Sequence, residues 1–346
     1  MTRQNRRRLT VVGGAVLLAA VGALGHTQEN HATTPNAPDI ALKAYRMRME
    51  GKVDEAKQAL AKELAKKPKN AAAWLELARL EFQKSGTTRE LDSAQTAIEQ
   101  AIRVAPDNPV YHRWAGRIAV YNAILNSKDQ PKFKEQFKKA TTAAEKAVMI
   151  DPDDHKARMT LVALYGNNPP DLGGDQLRAK SHVEALEGRS PVDGAVARCE
   201  FSLKNEPEKK LALWTDLAKK LGEDPRVHEN LAREYAWDGN VEKATVHADK
   251  VLTLAPTRGQ ILLDLGRAFA LKKELEPAEQ FARRYLALDP PAPLSLRAWA
   301  QMDLGRIQQM AGNNEASAES LRKAKQLDPY CWFTMSPPPQ QLFEAP

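Results

Sequence analysis

The chain has 346 residues, of which 42% are hydrophobic and 27% are charged, a composition typical of a folded protein with a sizeable core. Its formal net charge is +7, from 51 basic and 44 acidic residues, but four arginines fall within the first eight residues. Without these four, the chain holds 47 basic and 44 acidic residues and is nearly neutral. It lacks the basic surplus typical of nucleic-acid binding, and we expect no nucleic-acid partner.

Residues 1–25 predict an N-terminal export signal. Three consecutive arginines precede an apolar stretch, Leu9–Gly25, and small residues in the triplets 20–22 and 23–25 fit signal-peptidase cleavage. The stretch is short and glycine-rich for a bilayer span, so we expect cleavage, and an uncleaved membrane anchor is the alternative. Residues 26–38 are polar and contain proline, as in a flexible linker. We therefore expect a periplasmic or secreted protein, or one anchored in the inner membrane and facing the periplasm, with membrane contact through this segment alone.

Residues 39–329 show the apolar spacing of helices and almost no strand pattern. Proline closes successive segments of this region, which suits junctions between helices because proline cannot continue a helix but favours the first turn of the next. These prolines are Pro68, Pro106, Pro152, Pro191, Pro225, Pro256, Pro290 and Pro329. Their spacing clusters near about 34 residues and indicates an internal repeat.

The residues within the segments resemble the tetratricopeptide repeat. That pattern has a leucine, a small residue and an aromatic residue on a first helix, then alanines on a second helix and a closing proline. One segment carries it at Leu231, Ala232, Tyr235, Ala244, Ala248 and Pro256, and another at Leu265, Gly266, Phe269, Ala278 and Pro290. The resemblance implies about eight repeats, with 192–222 degenerate and with inserts at 126–137 and 166–175. It also implies an all-α, right-handed superhelical solenoid of antiparallel helix pairs, whose first helices line a concave groove.

An arginine follows the small residue in five segments, and the resemblance places this position inside the groove. A row of guanidinium groups is suited to an acidic peptide, a C-terminal carboxylate or a phosphorylated partner. We expect aromatic anchors one turn further along. The predicted groove residues are Arg79, Phe82, Arg117, Arg233, Trp237, Arg267 and Arg306.

A structural role is the alternative for these arginines. Glu76, Asp264 and Asp303 lie three residues before an arginine, which is the spacing of an ion pair within one helix. Arg117 and Arg233 lack such an acid and are therefore the better candidates for contact with a ligand.

Three further features concern a loop, the C-terminal tail and the two cysteines. The loop at 166–175 either carries function or only reshapes one turn of the solenoid. The aromatic, proline-rich tail at 330–346 either caps the last repeat or docks on another protein. Cys199 and Cys331 lie far apart along a repeat array and are expected to be free, mostly buried thiols.

No catalytic or metal-binding motif is present, so we expect neither an enzyme nor a cofactor. We expect an exported bacterial scaffold or adaptor that binds a protein or peptide partner in its groove, with an acidic peptide as one candidate, and helps to assemble a cell-envelope complex. One alternative is a periplasmic assembly chaperone, similar to the repeat modules that present apocytochromes c for haem attachment. The other is an enzyme whose site is built from the two inserts.

Overall fold

A computed structural model of the chain describes residues 40–84 and 88–331. The predicted signal and linker, and the tail from residue 332 onward, lie outside the described residues. The described residues form sixteen α-helices and no strand, and the prediction of an all-α solenoid of helix pairs is confirmed. None of the described helices combines the length and apolar character needed to cross a bilayer.

The helices follow one another with short connections, which makes sequential neighbours antiparallel. Their bounds are α1 Ile40–Met49, α2 Val53–Lys66, α3 Ala71–Lys84, α4 Thr88–Val104, α5 Pro109–Leu125, α6 Gln130–Ile150, α7 His155–Asn167, α8 Gln176–Glu187, α9 Pro191–Phe201, α10 Pro207–Lys220, α11 Pro225–Asp238, α12 Val241–Leu254, α13 Gln260–Leu271, α14 Leu275–Leu286, α15 Leu294–Met310 and α16 Asn314–Leu327. Single 3-10 turns occur at Pro170–Leu172 and Pro256–Arg258. Odd-numbered helices are the first helices of the repeats, and even-numbered helices are the second.

The chain divides into two compact units. Of the described residues, the first unit contains 40–46 and 53–202, and the second unit contains 47–52 and 203–331. The division at residue 203 falls inside the segment 192–222, whose sequence fits the repeat least well.

Helix pairs in both units pack closely because the first helix carries a small residue at the crossing. A Cβ atom on Gly116 would lie 3.2 Å from the carbonyl oxygen of Ala140, and one on Gly266 would lie 3.1 Å from that of Ala278. Each glycine therefore faces the backbone of the second helix of its own pair. A large side chain at either position would force the two helices apart.

A side chain near the start of four first helices fixes the junction that precedes it. In each case a ring or guanidinium nitrogen lies 2.7–2.9 Å from the carbonyl oxygen six residues earlier. The donors are Trp74, His112, Arg158 and His228. His112 and His228 thus have structural roles, because each uses Nε2 to satisfy a junction carbonyl.

The second unit includes a short segment from far earlier in the chain. Residues 47–52 lie against its last helix pair, where Ser295 Oγ is 2.7 Å from the carbonyl oxygen of Arg48. A Cβ atom on Gly51, whose φ is +75°, would lie only 2.3 Å from the carbonyl oxygen of Leu327, so this close approach requires glycine. Elsewhere in the fold, Cys199 and Cys331 are buried and are not joined in a disulfide.

Candidate functional site

Ion pairs join the first helices of successive repeats in the second unit. Arg233 on α11 donates from Nη2 to Asp264 Oδ2 on α13 at 2.8 Å. Arg267 on α13 donates from Nε to Asp303 Oδ2 on α15 at 2.7 Å. In both pairs, the arginine after the small residue meets an acid supplied by the following repeat. We call the series Glu229, Arg233, Asp264, Arg267 and Asp303 the charge ladder.

The charge ladder is nearly neutral and partly buried. Glu229 begins it, with its carboxylate 2.5 Å from Arg258 Nε and 4.0 Å from Arg233 Nη1. Burial lowers the pKa of Arg233, but the carboxylates of Asp264 and Glu229 outweigh this effect and the pKa is raised. Since its charge is already compensated, Arg233 is held in place by the ladder.

The structure therefore differs from the expectation that Arg233 is open to a ligand. No acid lies three residues before Arg233, but Glu229 lies four residues before it in the same helix, and the closer partner, Asp264, lies on the next first helix. The pair predicted within one helix, Asp264–Arg267, is present at 3.7 Å but is longer than the 2.6 Å contact of Arg267 with Asp303.

Arg306 occupies the same repeat position in the last helix pair. It forms no hydrogen bond or ion pair with any other residue in the ranges that the structure describes, including Asp303, which Arg267 engages. The acid for each preceding arginine comes from the next repeat, and no helix pair follows α15 and α16 within those ranges. Arg233, Arg267 and Arg306, which follow the small residue in their helices, are the ladder-type arginines of the second unit. Among them, only Arg306 has no acidic partner within the described chain.

An exposed row of apolar side chains lies beside the ladder. Trp237, Leu271 and Met310 are 53%, 64% and 54% exposed. Each lies four residues after its ladder-type arginine, at the end of a first helix, so it shares the face of that arginine. We call these three residues the apolar row.

The same backbone turn sets each member of the row. Two residues further on, Gly239, Lys273 and Gly312 have left-handed φ values of 85°, 65° and 82°. In each turn the following amide donates to the carbonyl five residues earlier, at 2.8–2.9 Å, which is the Schellman pattern of a helix end. The three apolar side chains therefore leave their helices in the same way.

The first unit uses the corresponding positions for its interior. Arg79 and Arg117 are buried, and their guanidinium carbons lie 5.2 and 5.5 Å from the ring centroid of Trp114. Phe82 is fully buried and packs edge-on against Trp114 and Tyr121, with ring centroids 5.8 and 4.9 Å away. The structure thus places Phe82 in the core, and not on the groove wall where the sequence analysis expected an anchor.

Gln83 and Tyr121, the counterparts of the apolar row in the first unit, are also buried. Of the seven predicted groove residues, the structure brings Arg233, Trp237, Arg267 and Arg306 together on one face. It places Arg79, Phe82 and Arg117 inside the first unit.

Two segments of the chain match models of the tetratricopeptide repeat, over residues 47–118 and 229–293. The chain is a tetratricopeptide repeat protein. Such repeats generally mediate protein–protein interactions, which suggests an interaction scaffold. The second match covers α11 to α14 and therefore includes Trp237, Leu271 and most of the charge ladder.

Several solved structures are similar to this tetratricopeptide repeat protein at low sequence identity. A tetratricopeptide repeat protein from Parabacteroides merdae is 16% identical, with 82% of this chain and 97% of that chain covered and a TM-score of 0.42. A human IFIT1 dimer with PPP-AAAA is 14% identical, with 90% and 80% covered and a TM-score of 0.42. The same human protein with m7Gppp-AAAA is 15% identical, with 92% and 81% covered and a TM-score of 0.43. No curated protein matches the sequence.

The histidines of this tetratricopeptide repeat protein join helices to one another. His228 Nδ1 lies 2.9 Å from His247 Nδ1, and the His247 ring also stacks on Tyr235. His228 donates from Nε2 to the Gly222 carbonyl oxygen, so its Nδ1 accepts a hydrogen bond from the Nδ1–H of His247. Burial, followed by the charges of His228 and Lys243, lowers the pKa of His247 to about 4. The His247 ring is therefore neutral near pH 7, and its contact with His228 links α11 to α12.

The two inserts form structured parts of the repeats. The insert at 126–137 lengthens the start of α6, and the one at 166–175 forms a 3-10 turn whose Asp175 caps α8. Lys134 and Asp171 join the inserts through an exposed ion pair at 3.1 Å. An exposed pair offers no desolvated acid or base. Within the described residues, no group of three or more potential ligands could hold a metal ion.

Leu271 and Met310 were missed in the sequence, where an apolar residue at a helix end is indistinguishable from a core residue. The available signal was their position. Each lies five residues after the small residue and two before a left-handed turn, which in the case of Met310 is marked by Gly312.

Proposed function

We propose that this protein is an exported scaffold that docks a protein partner on the exposed face of its second unit. The carrying observation is the apolar row, in which three large apolar side chains stand in water at the same position of three consecutive repeats. Isolated exposed apolar residues are ordinary on protein surfaces, but a regular set is typical of an interaction site. Tryptophan is also among the residues that contribute most to binding energy at interfaces.

The charge ladder holds together the helices that carry this face. Its ion pairs connect α11 to α13 and α13 to α15, so they fix the spacing of the first helices that carry the apolar row. Arg233 and Arg267 act as positioning residues, whereas Arg306, which pairs with no acid among the described residues, offers its charge to the partner. The proposed site therefore consists of Trp237, Leu271, Met310 and Arg306.

Export is proposed from the N-terminal sequence. A basic start, an apolar stretch and small residues at a cleavage position direct a chain out of the cytoplasm. We place the scaffold in the periplasm of a bacterium, or at the periplasmic face of the inner membrane if the signal is retained. For a repeat protein that binds partners in the periplasm, we propose a role in the assembly of a cell-envelope complex. The proposal assigns the chain no reaction and no cofactor.

Site-specific photo-cross-linking in intact cells tests the proposed surface. A benzoyl-phenylalanine at position 271 is expected to capture a discrete envelope protein, and that capture is expected to fall when Trp237 or Met310 is changed to serine. A matched control places the same photoreactive residue at position 246, because Val246 is 60% exposed on α12 and lies outside the apolar row. Equal capture at 246 and 271, or capture that ignores both serine variants, would contradict docking on this face.

A further inference from the structure

The spacing of the apolar row limits the kind of segment that can bind along it. Direct ion pairs connect α11 to α13 and α13 to α15, so the first helices are immediate neighbours. Neighbouring helices pack about 8–10 Å apart. Because Trp237, Leu271 and Met310 leave their helices through the same turn, adjacent members of the row are separated by roughly that distance.

A polyproline helix matches this spacing residue for residue. It has three residues per turn and a rise of about 3.1 Å, so every third side chain returns to the same face after about 9.3 Å. A β-strand repeats a face after about 6.6 Å, which does not match the row. An α-helix rises about 1.5 Å per residue, so side chains seven residues apart return to the same face after about 10.5 Å, which exceeds the helix spacing of about 8–10 Å. The extended form is also free of internal hydrogen bonds and is stiff before it binds, which lowers the entropy cost of binding.

Arg306, at the end of the series of ladder-type arginines, indicates where a bound ligand would carry a carboxylate. Arg233 and Arg267 each receive an aspartate from the following repeat, whereas Arg306 receives none from the described chain. A ligand carboxylate beside Arg306 would take the place of that missing aspartate. Arg306 lies one helical turn before Met310, so the acid belongs within one or two residues of the ligand side chain that contacts Met310.

We propose that the apolar row and Arg306 together bind an extended, proline-rich segment of a protein, with apolar side chains at every third residue and an acidic residue at the Met310 end. The proposal rests on the docking function assigned to this face. Proline rings suit the exposed Trp237, since aromatic surfaces are the usual contact for such segments.

The test uses a labelled synthetic peptide and the purified chain. The peptide is made of prolines, with leucine at the second, fifth and eighth positions and aspartate at the tenth. Fluorescence anisotropy is expected to show saturable binding. A peptide of the same composition with leucines at the second, fourth and sixth positions is expected to bind about tenfold more weakly or worse, because at most one leucine then meets the row.

Variants of the row test the apolar contacts. Trp237→Ser, Leu271→Ser and Met310→Ser are each expected to weaken binding about tenfold. Val246→Ser is the matched control and is expected to leave affinity unchanged. Equal losses in the control and in the row variants would overturn the proposal.

A double-mutant cycle tests the carboxylate. Arg306→Ala and a peptide with asparagine in place of aspartate are each expected to weaken binding about five- to tenfold, and their combination is expected to add little more. Arg322→Ala, which removes another exposed arginine of the last helix pair, is the matched control. Additive losses would show that Arg306 does not meet the ligand acid and would overturn this part.

Other occupants give different results. Tighter binding of an α-helical peptide with leucines seven residues apart would overturn the extended register. Self-association of the chain that Leu271→Asp abolishes would show that a second copy occupies the row. Binding that disappears when residues 332–346 are deleted would place the peptide on that segment and not on the row. If the peptides fail while cross-linking at position 271 still responds to the row variants, the partner chemistry is wrong and the docking function stands.

Discussion

The two units place the same repeat positions in opposite environments. In the first unit, the position five residues after the small residue holds Gln83 and Tyr121, and both are buried. In the second unit it holds Leu271 and Met310, and both are exposed. The arginine four residues before this position lies over a tryptophan ring in the first unit, whereas in the second unit Arg233 and Arg267 lie in a ladder of carboxylates.

Helix length accounts for part of this difference. α5 continues four residues past Tyr121, whereas α13 and α15 end at Leu271 and Met310. A helix that continues keeps the side chain within its packed length, and a helix that ends in a left-handed turn leaves it at the rim. One repeat pattern can therefore build either an interior or a docking face.

Replacing a tryptophan in each unit is expected to give the largest contrast. Trp114 is buried against Phe82, Arg79 and Arg117, so Trp114→Ala is expected to lower the free energy of unfolding by about 3–5 kcal/mol. Trp237→Ala removes a half-exposed ring and is expected to change it by less than about 0.5 kcal/mol. Urea denaturation followed by circular dichroism measures both. Similar losses in the two variants would show that the row is part of the core.

Breaking the charge ladder is expected to have the next largest effect. Asp264→Ala leaves Arg233 partly buried without its closest carboxylate and is expected to cost about 2 kcal/mol. Asp216→Ala, which removes an exposed partner of Lys219, is the control and is expected to leave stability unchanged. The comparison uses the same denaturation experiment. A neutral Asp264 variant would remove the structural role of the ladder.

Each unit contains one histidine that is expected to resist protonation. Burial lowers the pKa of His182 and of His247 to about 4, assisted by Arg158 and Arg178 in the first unit and by His228 and Lys243 in the second. An unfolded histidine titrates near 6.5, so the unfolded state binds more protons between about pH 6.5 and 4, and stability falls as the pH drops through that range.

Because both rings are only half-buried, the acid loss is expected to be on the order of 1 kcal/mol each after allowance for solvent screening. His182→Gln and His247→Gln are expected to flatten the stability profile between pH 6.5 and 4, and the double variant more so. Thermal melts across this range measure the slope, and NMR titration assigns each pKa. A slope that neither variant changes would contradict this account of the acid loss.

The turns of the second unit are expected to give the smallest effect. Gly312 has a φ of +82° with open space around it, so Gly312→Ala is expected to cost about 1 kcal/mol through backbone strain alone. Lys273 already adopts a φ of +65°, and Lys273→Gly is expected to change stability by less than about 1 kcal/mol, since relief of strain and added freedom of the unfolded chain oppose each other. Differential scanning calorimetry measures both. Equal destabilisation by the two changes would contradict equivalence of the turns.

The fold was predictable because its determinants are local. Proline at the junctions, and glycine or alanine where helices cross, mark the repeat within each segment of sequence. Gly116 and Gly266 show the reason, since each approaches a backbone carbonyl of its own pair.

The site was only partly predictable because its contacts join repeats about 30 residues apart. Arg233 lacks an acid three residues before it and was expected to be open to a ligand, but its closest partner, Asp264, lies 31 residues further along the chain. Phe82 was expected on a surface, but Trp114 and Tyr121 from the next repeat cover it. Whether Leu271 is in water depends on where α13 ends, which apolar spacing alone does not determine.

Cross-linking from position 310 in two backgrounds is the most direct test that docking belongs to the exposed row and not to the arginines as a set. With a photoreactive residue in place of Met310, Leu271→Asp is expected to abolish capture of the partner, whereas Arg117→Ala is expected to leave capture per folded molecule unchanged. Capture that survives Leu271→Asp and is lost with Arg117→Ala would contradict the account.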